Sequence, residues 1–436
     1  MKHEIWDPRW EMADPAALKS HQEELLKEQV KRTFNGLPYY RRKMQEKGLS
    51  PSDIKSIEDL RLLPFTTKKD FMDNYPFGMF AVPLNEVVRV QGSSGTTTGK
   101  SSIVGYTRND LFTWSNLCAR LVTAAGVGPN DVAQVSFGYG LFTGGFGLHG
   151  GLERVGALVI PLSSGNTSRQ IKFMRDMNTT ALISTPTYAL RIAEVMKEEG
   201  IEPEDLSLKW GLFGGEPWSH GIRKQIDSQL GITATDNYGM SEVMGPGVSY
   251  ECLERDGMHV AEDHFIIEII DPETCEPLPP GEVGEVVLTA ITKEAVPVIR
   301  YRSRDLSRLI PETCPCGRTC VKMEKVRGRT DDMLIIRGVN VFPTQIEGVL
   351  MEIEHTEPHY QIVLSKRGAL DVMELQVEVT EKIFHDEMKR LKHLEEEIRY
   401  KLKNELNLEC HVKLVEPRTL QRFEGKARRV LDNRES

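Results

Sequence analysis

The sequence has no stretch that approaches the roughly 20 consecutive apolar residues of a membrane-spanning helix. Its N-terminus contains acidic residues and proline where a secretory signal would have an apolar run. We therefore expect a soluble protein of the cytoplasm with no membrane partner. An excess of positive charge is also lacking, because 64 Asp and Glu outnumber 55 Lys and Arg. Since the net charge is −9, nothing favours binding to nucleic acid, and we expect small molecules or proteins as partners.

Cysteine is scarce as well, because the 436 residues contain seven, an odd number that cannot all form disulfides. A small domain held together by disulfides is therefore excluded. In a reducing compartment, cysteines are usually free thiols or metal ligands. The length predicts two or three domains with sizeable cores. Charged residues make up 27% and apolar residues 39% of the chain, so most of it should fold.

Short apolar runs bounded by Gly or Pro alternate with amphipathic stretches between residues 105 and 330. The runs predicted to be buried strands are DVAQVSFGYG, GALVIPL, TALISTPT and KWGLFGGEP. The stretches SRQIKFMRDM and YALRIAEVMKEEG have the spacing of helices. This alternation predicts an α/β fold with a parallel sheet, in which ligand sites lie at the carboxyl ends of the strands.

Two further regions predict different local structure. Residues 15–48 have helical spacing, which the sequence Gly36-Leu37-Pro38 breaks into two helices. The run FIIEIID and the later GEVVLTAI are joined by a segment rich in Pro and Gly, which predicts an antiparallel β region after the parallel sheet.

The C-terminal part of the chain predicts a separate small domain. From residue 329 to 436 the pattern indicates strand, helix, strand, strand, helix, strand, which is an α+β arrangement. One helix around residues 383–402 has a single apolar face, which should pack on its own domain. We therefore divide the chain into a large domain, 1–328, and a small domain, 329–436.

The segment SSGTTTGKS, from Ser93 to Ser101, is rich in hydroxyl groups. A Walker A loop needs four residues between its two glycines, whereas Gly95 and Gly99 enclose three. The glycines, the hydroxyls and Lys100 nevertheless supply backbone donors, side-chain donors and a cation, which suit a polyphosphate. Taken alone, the segment is also compatible with a solvated Ser/Thr turn.

This loop and the VGYT that follows it at Val104–Thr107 resemble the adenylate-forming superfamily, and within it the phenylacetate-CoA ligase branch. Further segments occur in the family's order along nearly the whole chain, namely FGYGLFTGGFGLHGGLERVGA (137–157), GLFGGEPWS (211–219), DNYGMSEVMGPGV (236–248), IRYRSRDL (299–306), GRTDDMLIIRGVNVFPTQIE (328–347) and EGKARRV (424–430). One such motif could arise by chance, but the ordered set is specific to the family. The loop departs from the family in having three threonines where two are usual, so the threonine that contacts phosphate stays open.

The resemblance implies an AMP-forming ligase with a large N-terminal adenylation domain and a small mobile C-terminal domain. In this family a carboxylic acid, here phenylacetate or a related arylacetate, attacks the α-phosphorus of ATP and displaces pyrophosphate. The thiol of CoA then attacks the acyl-adenylate after the small domain has rotated about a hinge, which matches Asp331. A homodimer is also implied. Rival interpretations are an adenylating synthetase that uses another acid or acceptor, and a non-catalytic nucleotide-binding relative.

The same resemblance assigns functions to individual residues. The catalytic residues would be Lys426, which bridges the carboxylate and the α-phosphate, Glu242, which holds Mg²⁺, and Lys100. The nucleotide would be bound by Ser93, Ser94, Gly95, Thr96, Thr97, Thr98, Gly99, Gly214, Gly215, Glu216, Pro217, Asp236, Tyr238, Gly239, Met240, Ser241, Asp305 and Arg329. For three of them a simpler explanation exists: Glu242 could cap a helix, Asp305 could form a surface ion pair, and Lys426 could be an ordinary surface lysine.

Aromatic and glycine residues after the first predicted strand suit a flat apolar acid. The acyl pocket would be lined by Phe137, Tyr139, Gly140, Phe142 and Gly145. Some of these aromatic side chains could instead belong to the core. The preferred aryl group is not legible, because specificity in such a pocket depends on a few atoms.

Cysteine and histidine residues flank the predicted antiparallel region in two chelating pairs. Cys252 and His259 form the first pair, and Cys314 and Cys316 form the second. Three thiols and one imidazole suit a tetrahedral Zn²⁺ with no open position, which would be structural rather than catalytic. Cys320 is an alternative ligand, and unrelated thiols are the alternative to a metal site.

Overall fold

The computed structural model describes residues 4–93, 102–337, 339–367, 370–384, 388–406 and 408–434. The α-helices are α1 (Pro8–Glu11), α2 (Pro15–Gly36), α3 (Pro38–Glu46), α4 (Lys68–Asp73), α5 (Arg108–Ala124), α6 (Thr143–Val155), α7 (Thr167–Asp176), α8 (Pro186–Glu198), α9 (His220–Leu230), α10 (Pro343–Leu350), α11 (Glu381–Phe384) and α12 (Met388–Leu406). None of these helices combines the length and apolarity needed to cross a membrane.

The strands of the first 260 residues are β1 (Arg89–Gly92), β2 (Ile103–Tyr106), β3 (Val132–Val135), β4 (Leu158–Ile160), β5 (Ala181–Ser184), β6 (Trp210–Gly214), β7 (Thr233–Met240), β8 (Gly245–Glu251) and β9 (Met258–Val260). The later strands are β10 (Phe265–Ile270), β11 (Gly284–Ala290), β12 (Tyr301–Ser307), β13 (Leu309–Ile310), β14 (Lys322–Met323), β15 (Gly328–Arg329), β16 (Leu334–Ile336), β17 (Val339–Val341), β18 (Thr356–Arg367), β19 (Leu370–Val379), β20 (His411–Val415) and β21 (Val430–Asp432).

The largest sheet has nine strands in the order β13-β14-β9-β8-β7-β6-β5-β3-β4. Its strands from β4 to β7 are parallel to one another, and those from β7 to β13 are antiparallel. A second sheet, β10-β11-β12-β15, is antiparallel throughout. The predicted parallel sheet and the predicted antiparallel region are both confirmed.

Local sequence signals explain where several helices begin and end. The Asp14 side chain accepts hydrogen bonds from the amides of Ala16 and Ala17, and Pro15 takes the first helical position of α2. α2 ends at Gly36 and α3 begins at Pro38, so the predicted break at Gly36-Leu37-Pro38 is confirmed. α8 begins in the same way, because the Thr185 hydroxyl accepts from Tyr188 N and Pro186 follows the cap.

Helices α5 and α6 approach each other closely because α6 carries glycine at the contact. A Cβ atom added to Gly151 would lie 2.5 Å from the Cys118 carbonyl carbon, and one on Gly147 would lie 2.5 Å from the Trp114 ring. Both distances are far below van der Waals contact, so a larger residue would push the helices apart. Gly147 and Gly151 of the FGYGLFTGGFGLHGG motif therefore serve helix packing.

The small domain has its own hydrophobic core. Its members run from Leu334 to Val412 and include Ile346, Ile362 and Leu375. Its sheet has the order β20-β19-β18-β21, with β18 and β19 antiparallel and each outer strand parallel to its neighbour. The predicted boundary at residue 329 stays a prediction.

The long C-terminal helix differs in extent from the prediction. It was predicted for residues 383–402, whereas α12 spans Met388–Leu406 and is preceded by the short α11. Leu394, Ile398 and Leu402 are buried on α12 and belong to the small core. The helix therefore packs on its own domain, as predicted. Met388, at the start of α12, is 70% exposed and is not part of that core.

Candidate active site

The carboxyl ends of the parallel strands bring several predicted segments together. Strands β3, β5, β6 and β7 are neighbours and run in the same direction. Phe137 follows β3, Thr185 follows β5, Gly215 follows β6, and Tyr238 lies near the end of β7. The loops after these strands therefore meet at one edge of the sheet, where a ligand is expected.

Asp305 and Arg329 lie on paired strands, because β12 and β15 are in register at these two residues. Arg329 Nη1 donates to Asp305 Oδ1 over 3.0 Å, and the Tyr238 hydroxyl donates to Asp305 Oδ2 over 2.7 Å. Burial raises the pKa of Asp305 above its ordinary value, and the charge of Arg329 partly opposes this. A carboxylate offers about four acceptor sites, so Asp305 keeps the capacity to accept ribose hydroxyls.

The predicted hinge residue is held by the same arginine. Arg329 Nε and Nη2 donate to the two carboxylate oxygens of Asp331 over 2.9 and 3.0 Å. One guanidinium therefore joins Asp305 on the large domain to Asp331 at the predicted hinge. Such bidentate pairs are geometrically specific, so Arg329 fixes the Asp331 carboxylate in this orientation.

Glu242 lies in a tight turn between β7 and β8. The amides of Val243 and Met244 donate to the Met240 carbonyl, and β8 begins at Gly245. No helix starts there, so the helix-capping interpretation of Glu242 is wrong. Glu242 is only 5% exposed. Its neighbour Ser241 forms a hydrogen bond of 3.1 Å with the hydroxyl of Thr143 at the start of α6.

Lys426 reaches the large domain at the edge described above. Its Nζ lies 5.6 Å from the centroid of the Phe142 ring, and its Cε would lie 3.6 Å from a Cβ atom at Gly215. The side chain is solvent-exposed at this edge of the sheet. Nearby protein atoms partly desolvate the ammonium group and lower its pKa, and the charge of Glu216 opposes the shift. The catalytic assignment of Lys426 stays a prediction.

Two side-chain contacts hold the Lys426 loop against the large domain. The carboxylate of Glu216 accepts from Thr187 N over 2.9 Å and from Ala427 N over 3.0 Å. The Thr185 hydroxyl donates to the Gly425 carbonyl over 3.2 Å. Glu216 was predicted to bind nucleotide, but in this structure its two oxygens connect the large domain to the residue after Lys426.

The predicted acyl-pocket residues divide into two groups. Phe137 and Phe142 face each other at 5.9 Å between ring centroids, and both lie within 3.8 Å of a Cβ atom placed at Gly215. They therefore form an aromatic wall beside Lys426. The Tyr139 hydroxyl instead forms a 3.0 Å hydrogen bond with His149 Nδ1.

The two predicted pocket glycines shape the backbone. Gly140 has φ of 138°, which disfavours any side chain. A Cβ atom at Gly145 would lie 3.2 Å from the Gly138 carbonyl and 3.5 Å from the Tyr139 ring. Neither glycine is shown to line a pocket, so their assignment stays a prediction.

The predicted phosphate loop is described only at its base. Outside the described residues lie Ser94, Gly95, Thr96, Thr97, Thr98, Gly99 and Lys100. Ser93 N donates to the Ser102 carbonyl over 3.1 Å, and β1 pairs antiparallel with β2, so the loop connects two adjacent strands. Gly92 N donates to the Leu141 carbonyl over 2.7 Å. The base of the loop is therefore tied to the segment that carries Phe142.

A cavity of about 440 Å³ lies between the two domains. Its lining includes Glu216, Pro217, Arg329 and Asp331, which were predicted from the sequence. It also includes Trp218 and Tyr360, which were not. Lys325 Nζ lies 3.9 Å from the centroid of the Trp218 ring and 3.3 Å from Asp236 Oδ2. No sequence motif marks Lys325, whereas Trp218 stands within the quoted GLFGGEPWS segment.

The predicted metal ligands lie together. The ligand atoms of Cys252, His259, Cys314 and Cys316 are all within 4.8 Å of one another, and all four residues are buried. The sulfurs of Cys252 and Cys314 are 3.7 Å apart, and Cys316 Sγ lies 3.4 Å from His259 Nε2. Cys320 Sγ instead lies 3.6 Å from the other ring nitrogen, Nδ1, and so stands outside this group.

The distances between the sulfur and nitrogen atoms of these four residues match those of a tetrahedral zinc site. Tetrahedral coordination with Zn–S bonds of about 2.3 Å places neighbouring sulfurs about 3.8 Å apart, and sulfur and nitrogen about 3.5 Å apart. The observed 3.7 and 3.4 Å agree with both. A disulfide is not formed, since its sulfurs would be about 2.05 Å apart.

Comparison with known proteins agrees with this arrangement. The profile of the family described as AMP-binding enzyme matches residues 51–291, and that of the AMP-binding enzyme C-terminal domain matches residues 338–434. The phenylacetate-coenzyme A ligase of Thermus thermophilus is 48% identical over 99% of this chain and 100% of its own. That of Escherichia coli is 47% identical over 97% of each chain.

Solved structures add the orientation of the small domain. A 2-hydroxyisobutyryl-CoA ligase in the postadenylation state with 2-HIB-AMP gives a TM-score of 0.93 at 30% identity, covering 98% of this chain and 92% of that one. The same ligase in the thioesterification state, with CoA, gives 0.72 at 31% identity over the same shares. The domains of the present structure are therefore arranged as in the postadenylation state. The chain belongs to the AMP-binding enzymes and, within that family, to the phenylacetate-coenzyme A ligases.

Proposed function

We propose that the protein activates phenylacetate with ATP and transfers the phenylacetyl group to CoA. One observation carries the proposal: Lys426, the nucleotide segment at Gly215 and the aromatic wall of Phe137 and Phe142 converge within 6 Å. A cation, a nucleotide-binding backbone and a flat apolar wall are the three elements that arylacetate adenylation requires.

The chemistry follows from the weakness of a carboxylate as an acyl donor. A carboxylate oxygen attacks the α-phosphorus of ATP, and the bond to the pyrophosphate oxygen breaks. Negative charge builds up on the phosphoryl oxygens during this displacement, so a fixed cation stabilises the transition state. Lys426 supplies that cation between the carboxylate and the α-phosphate. In the second step the CoA sulfur attacks the acyl carbon, and AMP leaves with the bonding electrons.

Glu242 is the residue that would hold Mg²⁺. A hard cation prefers carboxylate oxygens together with substrate phosphates, and Glu242 offers a buried carboxylate in the turn after β7. When bound, the ion neutralises phosphate charge. The Thr143–Ser241 hydrogen bond ties the turn that carries Glu242 to the start of α6.

We also propose that Cys252, His259, Cys314 and Cys316 bind a structural zinc ion. Four ligands complete a tetrahedral shell and leave no position for a substrate. The site would join the β8–β9 hairpin to the loop between β13 and β14. The expectations of a homodimer and of a cytoplasmic location rest on the resemblance and the sequence, and they stay predictions.

The proposed activity is tested by one incubation with ATP, Mg²⁺ and phenylacetate, with and without CoA. AMP and phenylacetyl-CoA, followed by mass spectrometry, should appear together and only when CoA is present. AMP or acyl-adenylate without thioester would make CoA the wrong acceptor. No turnover of ATP with phenylacetate, or with a panel of other carboxylic acids, would support the non-catalytic alternative.

A further inference from the structure

Helix α8 of the large domain meets the small domain through charged side chains. Glu194 on α8 is bound by two small-domain residues, His359 on β18 and Arg422 in the C-terminal segment. Arg422 Nε donates to Glu194 Oε2 over 3.1 Å, and His359 Nε2 is hydrogen-bonded to Glu194 Oε1. One carboxylate of the large domain therefore contacts two separate parts of the small domain.

Arg422 lies in the segment that leads to Lys426. Its guanidinium donates twice to Glu378, at 2.8 Å for each oxygen, and the Glu378 side chain is fully buried. Glu378 also accepts from the amides of Arg418 and Leu420. The segment before Lys426 is thereby fixed within the small domain, and Lys426 follows Arg422 by four residues. By binding Arg422, Glu194 therefore contacts the segment that leads to Lys426.

The charge state of Glu194 favours this contact. Burial raises the pKa of its carboxyl, but the hydrogen bond from His359 and the charges of His359 and Arg422 outweigh burial and lower the pKa to about 2. Glu194 is therefore ionised at neutral pH. His359 is only 6% exposed, so neutralising Glu194 would leave a buried partner without its counterpart, which is costly.

The domain orientation of this structure matches one of two states of a relative. The structure matches a relative in the postadenylation state far better than the same relative in the thioesterification state, with TM-scores of 0.93 and 0.72. Glu194 moves with the large domain, and His359 and Arg422 move with the small one. A rigid rotation would separate them, so the contact stabilises only the orientation seen here.

We propose that Glu194 is a positioning residue, an interdomain latch that binds His359 and Arg422 and so holds Lys426 in the cleft for adenylate formation. The inference rests on the proposed ligase function. A contact made in only one of two states shifts their populations toward that state. The latch therefore favours the adenylation orientation, and it must open before CoA reacts.

The test separates the two half-reactions in full-length protein. We compare Glu194→Gln with wild type and with Glu199→Gln, a control on an exposed residue just after the same helix. Release of pyrophosphate with phenylacetate and ATP measures adenylate formation. Conversion of supplied phenylacetyl-adenylate and CoA measures thioester formation. We expect Glu194→Gln to slow the first about tenfold and to leave the second unchanged or faster, while Glu199→Gln changes neither.

A second measurement reports the domain orientation directly. Spin labels attached through bio-orthogonal amino acids at the exposed Lys197 and Lys413 give an interdomain distance distribution. Wild type should show mainly one distance, and Glu194→Gln and His359→Gln should each add a second population. An equal loss in both half-reactions, or an unchanged distance distribution in both variants, would overturn the latch.

The design distinguishes failure of the latch from failure of the proposed function. If the wild type forms no phenylacetyl-adenylate, the proposed function is wrong, and the distance measurement still decides whether Glu194 holds the domains. If the wild type is active and the ratio of the half-reactions is the same in Glu194→Gln, the latch is wrong and the function stands.

Discussion

The carboxylate of Glu216 accepts a hydrogen bond of 3.0 Å from the backbone nitrogen of Ala427, although the two residues are 211 positions apart. The other oxygen of the same carboxylate binds the amide of Thr187 at the start of α8. The large domain therefore holds the small domain by the residue next to Lys426. This contact lies next to Lys426, whose side chain stands beside the aromatic wall of Phe137 and Phe142.

Replacing Lys426 with alanine should abolish one half-reaction and spare the other. Without the cation, charge on the α-phosphate is not stabilised, and adenylate formation should fall by about 10²- to 10³-fold. Thioester formation from supplied phenylacetyl-adenylate should stay near the wild-type rate. In the control variant Lys413→Ala, at an exposed position, both steps should stay near the wild-type rate. An equal loss in the two steps would contradict the assignment.

Replacing Glu216 with glutamine should slow adenylate formation mainly through kcat. One of the two backbone amides that Glu216 binds would face an NH₂ group, and a hydrogen bond to a charged group is worth about 1.5–3 kcal/mol. We expect about a tenfold loss or more in steady-state turnover, with a small change in KM for ATP. If KM for ATP rises and kcat does not change, Glu216 acts on the nucleotide and not on the Lys426 loop. Glu204→Gln, on an exposed surface residue, is the matched control.

Purified protein should contain about one zinc ion per chain, and Cys316→Ser should contain almost none. Cys320→Ser is the matched control, because Cys320 lies on the opposite side of the His259 ring and should keep the ion. A chelator should lower the melting temperature of wild type and leave that of Cys316→Ser unchanged. Wild-type protein without stoichiometric zinc by elemental analysis would remove the metal from the proposal.

Because of Lys293, we expect the free energy of unfolding to change with pH in the alkaline range. Its side chain is fully buried, and its Nζ lies 4.5 Å from the Tyr106 ring centroid with no hydrogen-bond partner within the described part of the chain. Burial lowers the pKa of this ammonium from 10.5 to about 8, and the charge of Asp110 partly opposes the shift. The folded protein therefore loses this proton at a lower pH than the unfolded chain does.

Because the unfolded chain binds more protons between pH 8 and 10.5, this group makes the folded state more stable as pH rises through that window. Relative to Lys293→Met, wild type should gain about 2 kcal/mol in free energy of unfolding between pH 8 and 10. Urea denaturation of both proteins measures the difference, and Lys413→Met should show none. A difference between wild type and Lys293→Met that stays constant with pH would refute the shift.

Much of the fold is legible in the sequence because it depends on local patterns. The apolar runs of β3, β5 and β6, the Thr185-Pro186 start of α8 and the break between α2 and α3 all follow from near neighbours in the chain. The edge where Phe137, Gly215 and Tyr238 meet was also predictable, because parallel strands joined by helices place their carboxyl ends together. The four residues of the proposed zinc site were found from their spacing.

Other features depend on residues that are distant in sequence and carry no motif. Nothing local marks Glu194 as the partner of His359, 165 positions away, or Lys293 as a buried cation on Tyr106. The assignment of Cys320 was also open until the two faces of the His259 ring could be distinguished.

The order of strands and helices, the family and the identity of the chemical groups follow from periodicity and motif, and so can be read from the sequence. Which of those groups are in contact is known only from the folded structure. The contacts of Glu216 with Ala427 and of Glu194 with Arg422 both depend on how the two domains are placed relative to each other. Because these contacts join separately folded units, no local pattern in either unit encodes them.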